Sequence, residues 1–229
     1  MTLLEIINII NFIVGDRSPD IGFTPKRFGQ MLHIASLKHY KRKLGLPEEY
    51  QPGMPLPRQA FDITQKITED MRGFKIELSG NNMLKFYNGK AAYPDRYYYP
   101  SSMSAVREDG GMKKVTFVTD QRMDEMMGNY VDIPSYEYPV ATFQNDYIQI
   151  APESITKAKF VYLRLPEKPV YSVKVINGVS VYDSQNSTQL EWDEVNQIDI
   201  MAILLSDLGI SLRREDVMQV AEKHKIQGI

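Results

Sequence analysis

Imidazole is the scarcest chemistry-bearing group in this chain: His33, His39 and His224 are the only three among 229 residues. His33 and His39 stand six residues apart on one predicted helix, about 240° around its axis at roughly 100° per residue, so they do not form the i, i+4 pair that holds a metal. Both read as structural. Carboxylates cluster at Asp120, Asp124 and Glu125 and again at Glu191, Asp193 and Glu194. The first group lacks the central glycine and terminal glutamate of a calcium loop. Each group falls where a helix is predicted to begin, and there acidic side chains meet unpaired N–H groups and the positive end of the helix dipole. No Gly-x-x-x-x-Gly-Lys, Gly-x-Gly-x-x-Gly or Gly-x-Ser-x-Gly string occurs, and Gly110-Gly111 sits in a predicted hairpin turn. Cysteine is absent, which excludes disulfides, zinc ribbons, iron–sulfur ligation and a thiol nucleophile together. The expectation is a non-enzymatic protein without a cofactor or metal.

Two clusters suit contact rather than catalysis. Lys38, Lys41, Arg42 and Lys43 gather in the last turn of a predicted helix, where cations suit the negative end of the dipole. A solvated helix end explains them. Repeated around a ring of copies, they would also form a positive collar able to meet a DNA backbone or an acidic partner. Tyr93, Tyr97, Tyr98 and Tyr99 could stack bases, but only Arg96 is interleaved, so strand packing or a protein interface explains them better. Asp199, inside Ile198-Asp199-Ile200-Met201, is the remaining oddity. A carboxylate on so apolar a helix is expected to have an intersubunit or interhelix partner.

The elements that must position these groups follow from periodicity and turn signals. Thr2 to Val14 reads as a helix with Thr2 and Glu5 in capping-box spacing and Gly15 as its stop. It has no basic residue ahead of it and is about 12 residues long where a membrane span needs roughly 20, so no membrane is expected as a partner. Thr24 caps a helix with Pro25 in its first turn, ending at Leu44 before Gly45, with Phe28, Met31, Leu32 and Ala35 inward. A proline-rich connector from Leu46 to Pro57 leads to a third helix, Arg58 to Arg72. From Phe74 to about Ser184 the pattern alternates. Asn88-Gly89 and Asn177-Gly178 mark hairpins, and Asp109-Gly110-Gly111 and Gln144-Asn145-Asp146 mark two more, so at least eight strands are expected, paired antiparallel. One helix interrupts them, Asp120 to Met127. A helix from Trp192 or Asp193 ends at Gly209, and Ser211 opens a last one to about Lys225.

The predicted fold class is therefore α+β: N-terminal helices over 1–72, a central antiparallel β-sandwich or barrel-like region over 73–185, and C-terminal helices over 186–229, as three regions of one compact unit. The formal net charge of −2 excludes a strongly basic nucleic-acid binder. It divides into +2 over 1–72 (10 basic, 8 acidic), 0 over 73–185 (13 and 13) and −4 over 186–229 (4 and 8).

Several strings resemble one family. They are Phe23-Thr24-Pro25-Lys26-Arg27-Phe28, Gly45-Leu46-Pro47-Glu48-Glu49-Tyr50-Gln51-Pro52-Gly53 running on through Pro55, Pro57 and Arg58, and Tyr162-Leu163-Arg164-Leu165-Pro166-Glu167-Lys168-Pro169. Tyr182-Asp183-Ser184, Leu190-Glu191-Trp192-Asp193-Glu194 and Leu208-Gly209-Ile210-Ser211-Leu212-Arg213 continue the pattern. They resemble virion structural proteins of tailed phages of Bacteroidota, the crAss-like phages in particular. The likeness covers residues 23–225, weakest over 93–138, and leaves out the apolar N-terminal helix.

The resemblance implies a ring at the head-to-tail junction of a short-tailed phage, an adaptor beneath the portal, in the neck or tail of a virion assembled in the host cytoplasm. It implies copies of the chain itself as partners, about twelve in a closed heterologous ring, together with the portal protein, other tail ring or hub proteins, and packaged DNA met without sequence specificity. It carries no catalytic residues. Ile6, Ile9 and Phe12 on the first helix and Trp192, Ile198 and Leu205 on the C-terminal one are then the candidate subunit or portal contacts, and Lys38, Lys41, Arg42 and Lys43 the candidate DNA-facing ones. A ring or hub lower in the tail is the alternative, and a nucleic-acid-binding module a more distant one.

Overall fold

The computed structural model describes residues 1–15, 24–44, 69–107, 110–129 and 131–211. The chain is α+β. It forms two compact units, one from residues 1–73 with 166–229 and the other from residues 74–165. The predicted boundary at 185 thus falls near 165, and the first and third predicted regions share one unit.

In the helical unit, α1 (Leu3–Gly15) opens with the expected capping box. The Thr2 N–H donates to Glu5 Oε2 at 2.7 Å and the Glu5 N–H to Thr2 Oγ1 at 3.3 Å, which satisfies two otherwise unpaired donors reciprocally. Leu3, Ile6, Ile7 and Ile10 are its buried face. In α2 (Pro25–Lys43), Thr24 Oγ1 accepts from the Arg27 N–H and Pro25 occupies the first turn, as the sequence requires. Its inner face holds Phe28, Leu32 and Ala35, extended by Ser36, His39 and Tyr40; Met31 is half-buried.

The C-terminal helix, α4 (Glu194–Ser211), packs on α2 and is capped by Asp193, whose carboxylate accepts from the Asn196 N–H. It runs through Gly209 rather than stopping there. A glycine inside a helix costs about 1 kcal/mol, which a helix packed along one face can carry. The predicted helix 58–72 is described only from residue 69, and the one from Ser211 lies outside the described residues, as does Gly45.

The other unit holds two sheets. One is five-stranded, from β1 (Lys75–Leu78), β2 (Leu84–Lys85), β4 (Tyr97–Val106), β5 (Met112–Lys114) and β9 (Lys157–Arg164), in the order β1-β9-β4-β5 with β2 also on β9. The other is four-stranded, β3-β8-β7-β6, from β3 (Lys90–Ala92), β6 (Thr116–Phe117), β7 (Val140–Phe143) and β8 (Tyr147–Ala151). Met103, Ala105, Ala158 and Phe160 from the first meet Ala141, Ile148 and Ile150 from the second in one apolar core, and no barrel closes.

One pairing departs from the antiparallel expectation. Thr116 pairs with Val140 in parallel. The crossover that makes this possible is the predicted short helix, α3 (Asp120–Gly128), capped by Thr119 and followed by the segment leading to Val140. The chain over Lys113–Val118 is divided between the two sheets. Val115 is buried at the point where the chain leaves β5 in one sheet for β6 in the other.

Both Asn-Gly turns have positive φ at both residues, Asn88 and Gly89 at 49° and 70°, Asn177 and Gly178 at 52° and 79°, as a type I′ turn requires. They do different work. At Gly89 the arms part to different sheets, and its carbonyl accepts from the Ile150 N–H at 2.8 Å. A Cβ there would lie 2.9 Å from the Ile150 carbonyl oxygen, whereas a Cβ at Gly178 would meet nothing within 4 Å. Gly89→Ala should therefore destabilise the chain by about 2–4 kcal/mol, backbone strain plus a clash. Gly178→Ala should cost only the backbone term of about 1–2 kcal/mol. Urea unfolding of the two variants checks the difference.

Candidate interaction surfaces

The predicted contact residues separate into three groups. Ile6 and Trp192, expected at an interface, are core instead: Ile6 has no exposed surface and Trp192 only 4%. Trp192 is the hub of a buried joint. Its Nε1–H donates to Ser36 Oγ at 2.9 Å, its carbonyl accepts from Gln197 Nε2 at 2.6 Å, and its ring stands edge-on to His39 and Tyr40. Leu205 is half-buried. Ile9, Phe12 and Ile198 are exposed, Phe12 at 75% and Ile198 at 58%, and they remain surface candidates.

The basic turn is largely occupied within its own chain. Lys38 Nζ binds both oxygens of Asp207, at 2.7 and 3.0 Å, and Lys43 Nζ binds Asp70 at 2.8 Å. Lys41 and Arg42 are exposed. At least two of the four charges of the expected collar are thus matched by carboxylates, and a phosphate backbone would have to displace those carboxylates to use them. The Lys43–Asp70 pair, about three-quarters buried on both sides, ties the end of α2 to the chain entering the β unit.

His39 is structural, in agreement with its sequence reading. Asn196 Nδ2 donates to Asp193, which leaves Asn196 Oδ1 to accept from His39 Nε2 at 2.9 Å. His39 Nδ1 and Gln197 Oε1 have no hydrogen-bond partner among the described residues. Burial lowers the His39 pKa below 6.5, and it outweighs the Asn196 hydrogen bond and the Asp199 carboxylate, which act in the opposite direction. His33 is lowered too, by burial and then by Lys168. Asp199 itself is exposed, so within the single chain water solvates it. His224 lies outside the described residues.

Of the acidic groups, Asp193 caps α4 and Asp120 lies in the first turn of α3, while Glu125 and Glu191 serve other contacts. Asp120, in the first turn of α3, accepts from Thr142 Oγ1 and from Gln144 Nε2 at 2.9 Å, locking that helix to β7. Glu125 pairs with Arg122 one turn back at 3.2 Å, and Glu191 accepts from the Glu167 N–H at 2.7 Å. No three His, Cys, Asp or Glu among the described residues are grouped to hold a metal ion. Of the tyrosines, Tyr93 and Tyr97 stack on each other, and Tyr97 lies against Phe143, Phe160 and Tyr162 in the sandwich; burial raises the Tyr97 pKa. Tyr98 and Tyr99 face outward.

Other exposed apolar surface escaped the sequence reading. Val195 on α4 is 71% exposed and extends the Ile198 surface. The hairpin of β10 (Val173–Ile176) and β11 (Val179–Tyr182), assigned by sequence to the central β region, belongs to the helical unit and, among the described residues, pairs only with itself. Val173, Val175, Ile176 and Val181 on it are exposed, as are Val131, Ile133 and Tyr138 between α3 and β7. Valines at alternating positions signal strand, but nothing in them distinguishes a buried strand from a projecting one.

No helix among the described residues is long and apolar enough to cross a membrane. No family model and no curated protein matches the chain.

Two outcomes are expected of the Trp192 joint. Ser36→Ala removes the hydroxyl that accepts from the buried indole N–H and should cost about 1–3 kcal/mol, followed by the fluorescence of the single tryptophan. The unfolded chain binds more protons than the folded one once pH drops below about 6.5, because both described histidines are lowered. Stability should hold above that value and fall below it, and His39→Gln should flatten the fall.

Proposed function

We propose that this chain is a structural subunit of a phage virion, forming a ring at the head-to-tail junction that attaches tail components to the portal and surrounds the DNA channel. The sequence resemblance suggests the place. The observation that carries the assembly role is the quantity and placement of exposed apolar surface: α1, α4 and the β10–β11 hairpin each present large aliphatic or aromatic side chains to solvent. A protein working alone rarely leaves several such patches uncovered.

On this reading the outer face of α1, with Ile9, Phe12 and Ile13, is the surface offered to the portal. The ion pairs of Lys38 and Lys43 favour a protein-facing role for the end of α2. A ring or hub position lower in the tail uses the same surfaces against a different neighbour.

Cryo-electron microscopy of intact particles, with this chain located by its sequence in the density, tests the assignment. A closed ring of about twelve copies against the portal is expected, and density elsewhere in the tail selects the hub position. In a binding assay with purified portal, Phe12→Asp should keep its circular dichroism and lose capture by about tenfold or more, as truncating a central apolar anchor does. Retained capture would remove α1 from the portal contact.

A further inference from the structure

The β10–β11 hairpin presents a basic, apolar surface held at a rigid root. Residues 168–182 include Lys168 and Lys174 and no acid. Lys174 pairs with Val181 across the strands and Ile176 with Val179, so Lys174, Ile176 and Val181 share one face, and all three are exposed. The root is fixed by Asp183, which accepts from the Asn186 side chain at 2.7 Å and the Gln185 N–H at 3.2 Å, and by Ser187, which bonds the Asp183 carbonyl at 2.6 Å and the Ser172 N–H at 2.9 Å. Tyr182 packs on Tyr171, which stands edge-on to Phe28 of α2. An unsupported two-stranded hairpin is marginal in water, yet this one is braced to stand out from the unit.

The opposite chemistry lies on α4. Val195, Ile198 and Ala202 form an exposed stripe at i, i+3 and i+7 with Asp199 beside it. Residues 194–211 include Glu194, Asp199 and Asp207 and no base, and Asp207 is held by Lys38. The spacings agree. Lys174 precedes Ile176 by two strand positions, about 6.8 Å, and Asp199 follows Val195 by one helical turn, about 6 Å. The hairpin and the stripe are both solvent-exposed within one chain, so they do not cover each other there.

We infer that the hairpin of one copy docks on the α4 stripe of a second copy, Lys174 meeting Asp199 while Ile176 and Val181 cover Val195 and Ile198. Two different patches joined in this way make a heterologous contact, the kind that closes a ring or runs on as a chain. The contact deepens the ring reading but does not depend on the portal. A ring held by other surfaces would defeat only this contact, and self-association without portal binding would defeat only the neck assignment.

The absence of cysteine gives the test a clean background. Full-length chain carrying both Ile176→Cys and Ile198→Cys, oxidised at high protein concentration, should give a ladder of disulfide-linked dimers, trimers and larger species. A monomer with an internal disulfide, or no ladder, overturns the proposal. In sedimentation, Lys174→Glu alone and Asp199→Lys alone should each weaken self-association about tenfold, the size of a desolvated charge contact. An equimolar mixture of the two should restore it, since every hairpin then meets an opposite charge. Singles that associate like the unaltered chain, or a mixture that is not restored, count against it, and unchanged circular dichroism excludes misfolding as the cause.

Discussion

The helical unit depends on one buried joint between segments more than 150 residues apart. Trp192 reaches Ser36, and Asn196 reaches His39, each across the α2–α4 interface. Without disulfides, this joint and the apolar packing around it bring the N-terminal and C-terminal stretches together. The polar groups do a task that more leucine would not. Apolar helix faces slide past one another at small cost, whereas an indole N–H and an amide with fixed partners are satisfied in only one register. His39 Nδ1 and Gln197 Oε1, without a partner among the described residues, are the cost of that choice, and the lowered His39 pKa is its electrostatic consequence.

Where the chain's own local chemistry decides, the sequence was a sufficient guide. Thr2 with Glu5, Thr24 with Pro25 and Thr119 before α3 are caps whose partners lie within three residues, and the Asn-Gly turns need only positive φ. Distant partners were less legible. The 10-residue β4 is the longest strand among the described residues, but Tyr97-Tyr98-Tyr99-Pro100 alternates poorly, and its pairing with β9 has two register shifts. The parallel β6–β7 pair is legible only once α3 is recognised as its crossover. Gly209 looks like a stop because glycine often ends helices, and here packing along α4 overrides it. Trp192 and Ile6 looked like contacts because apolar periodicity marks a face without saying which molecule covers it.

Net charge shows the same difference between composition and place. A chain near neutrality, with a basic helix end and an acidic C-terminal region, invites the expectation of a positive collar. Lys38 with Asp207 and Lys43 with Asp70 show that much of that asymmetry is cancelled inside the unit. Part of the acid of the C-terminal region is there to hold α2. The part left outward, Asp199 among Val195, Ile198 and Ala202, stands in an apolar setting where an opposite charge from outside would gain most.

The β unit shows why the hairpin is not simply tolerated exposure. Open strand edges attract other strands, and proteins blunt them with charge or brevity. The sandwich does both: β1 carries Lys75 and Glu77, β5 carries Lys113 and Lys114, β3 begins with Lys90, and β6 is two residues long. The hairpin, in the same chain, spends one lysine on eight strand residues and fills the rest with valine, isoleucine, serine and tyrosine. A chain that charges or shortens the edges of its sandwich leaves this hairpin largely apolar, on a root held by Asp183 and Ser187, as the proposed docking requires.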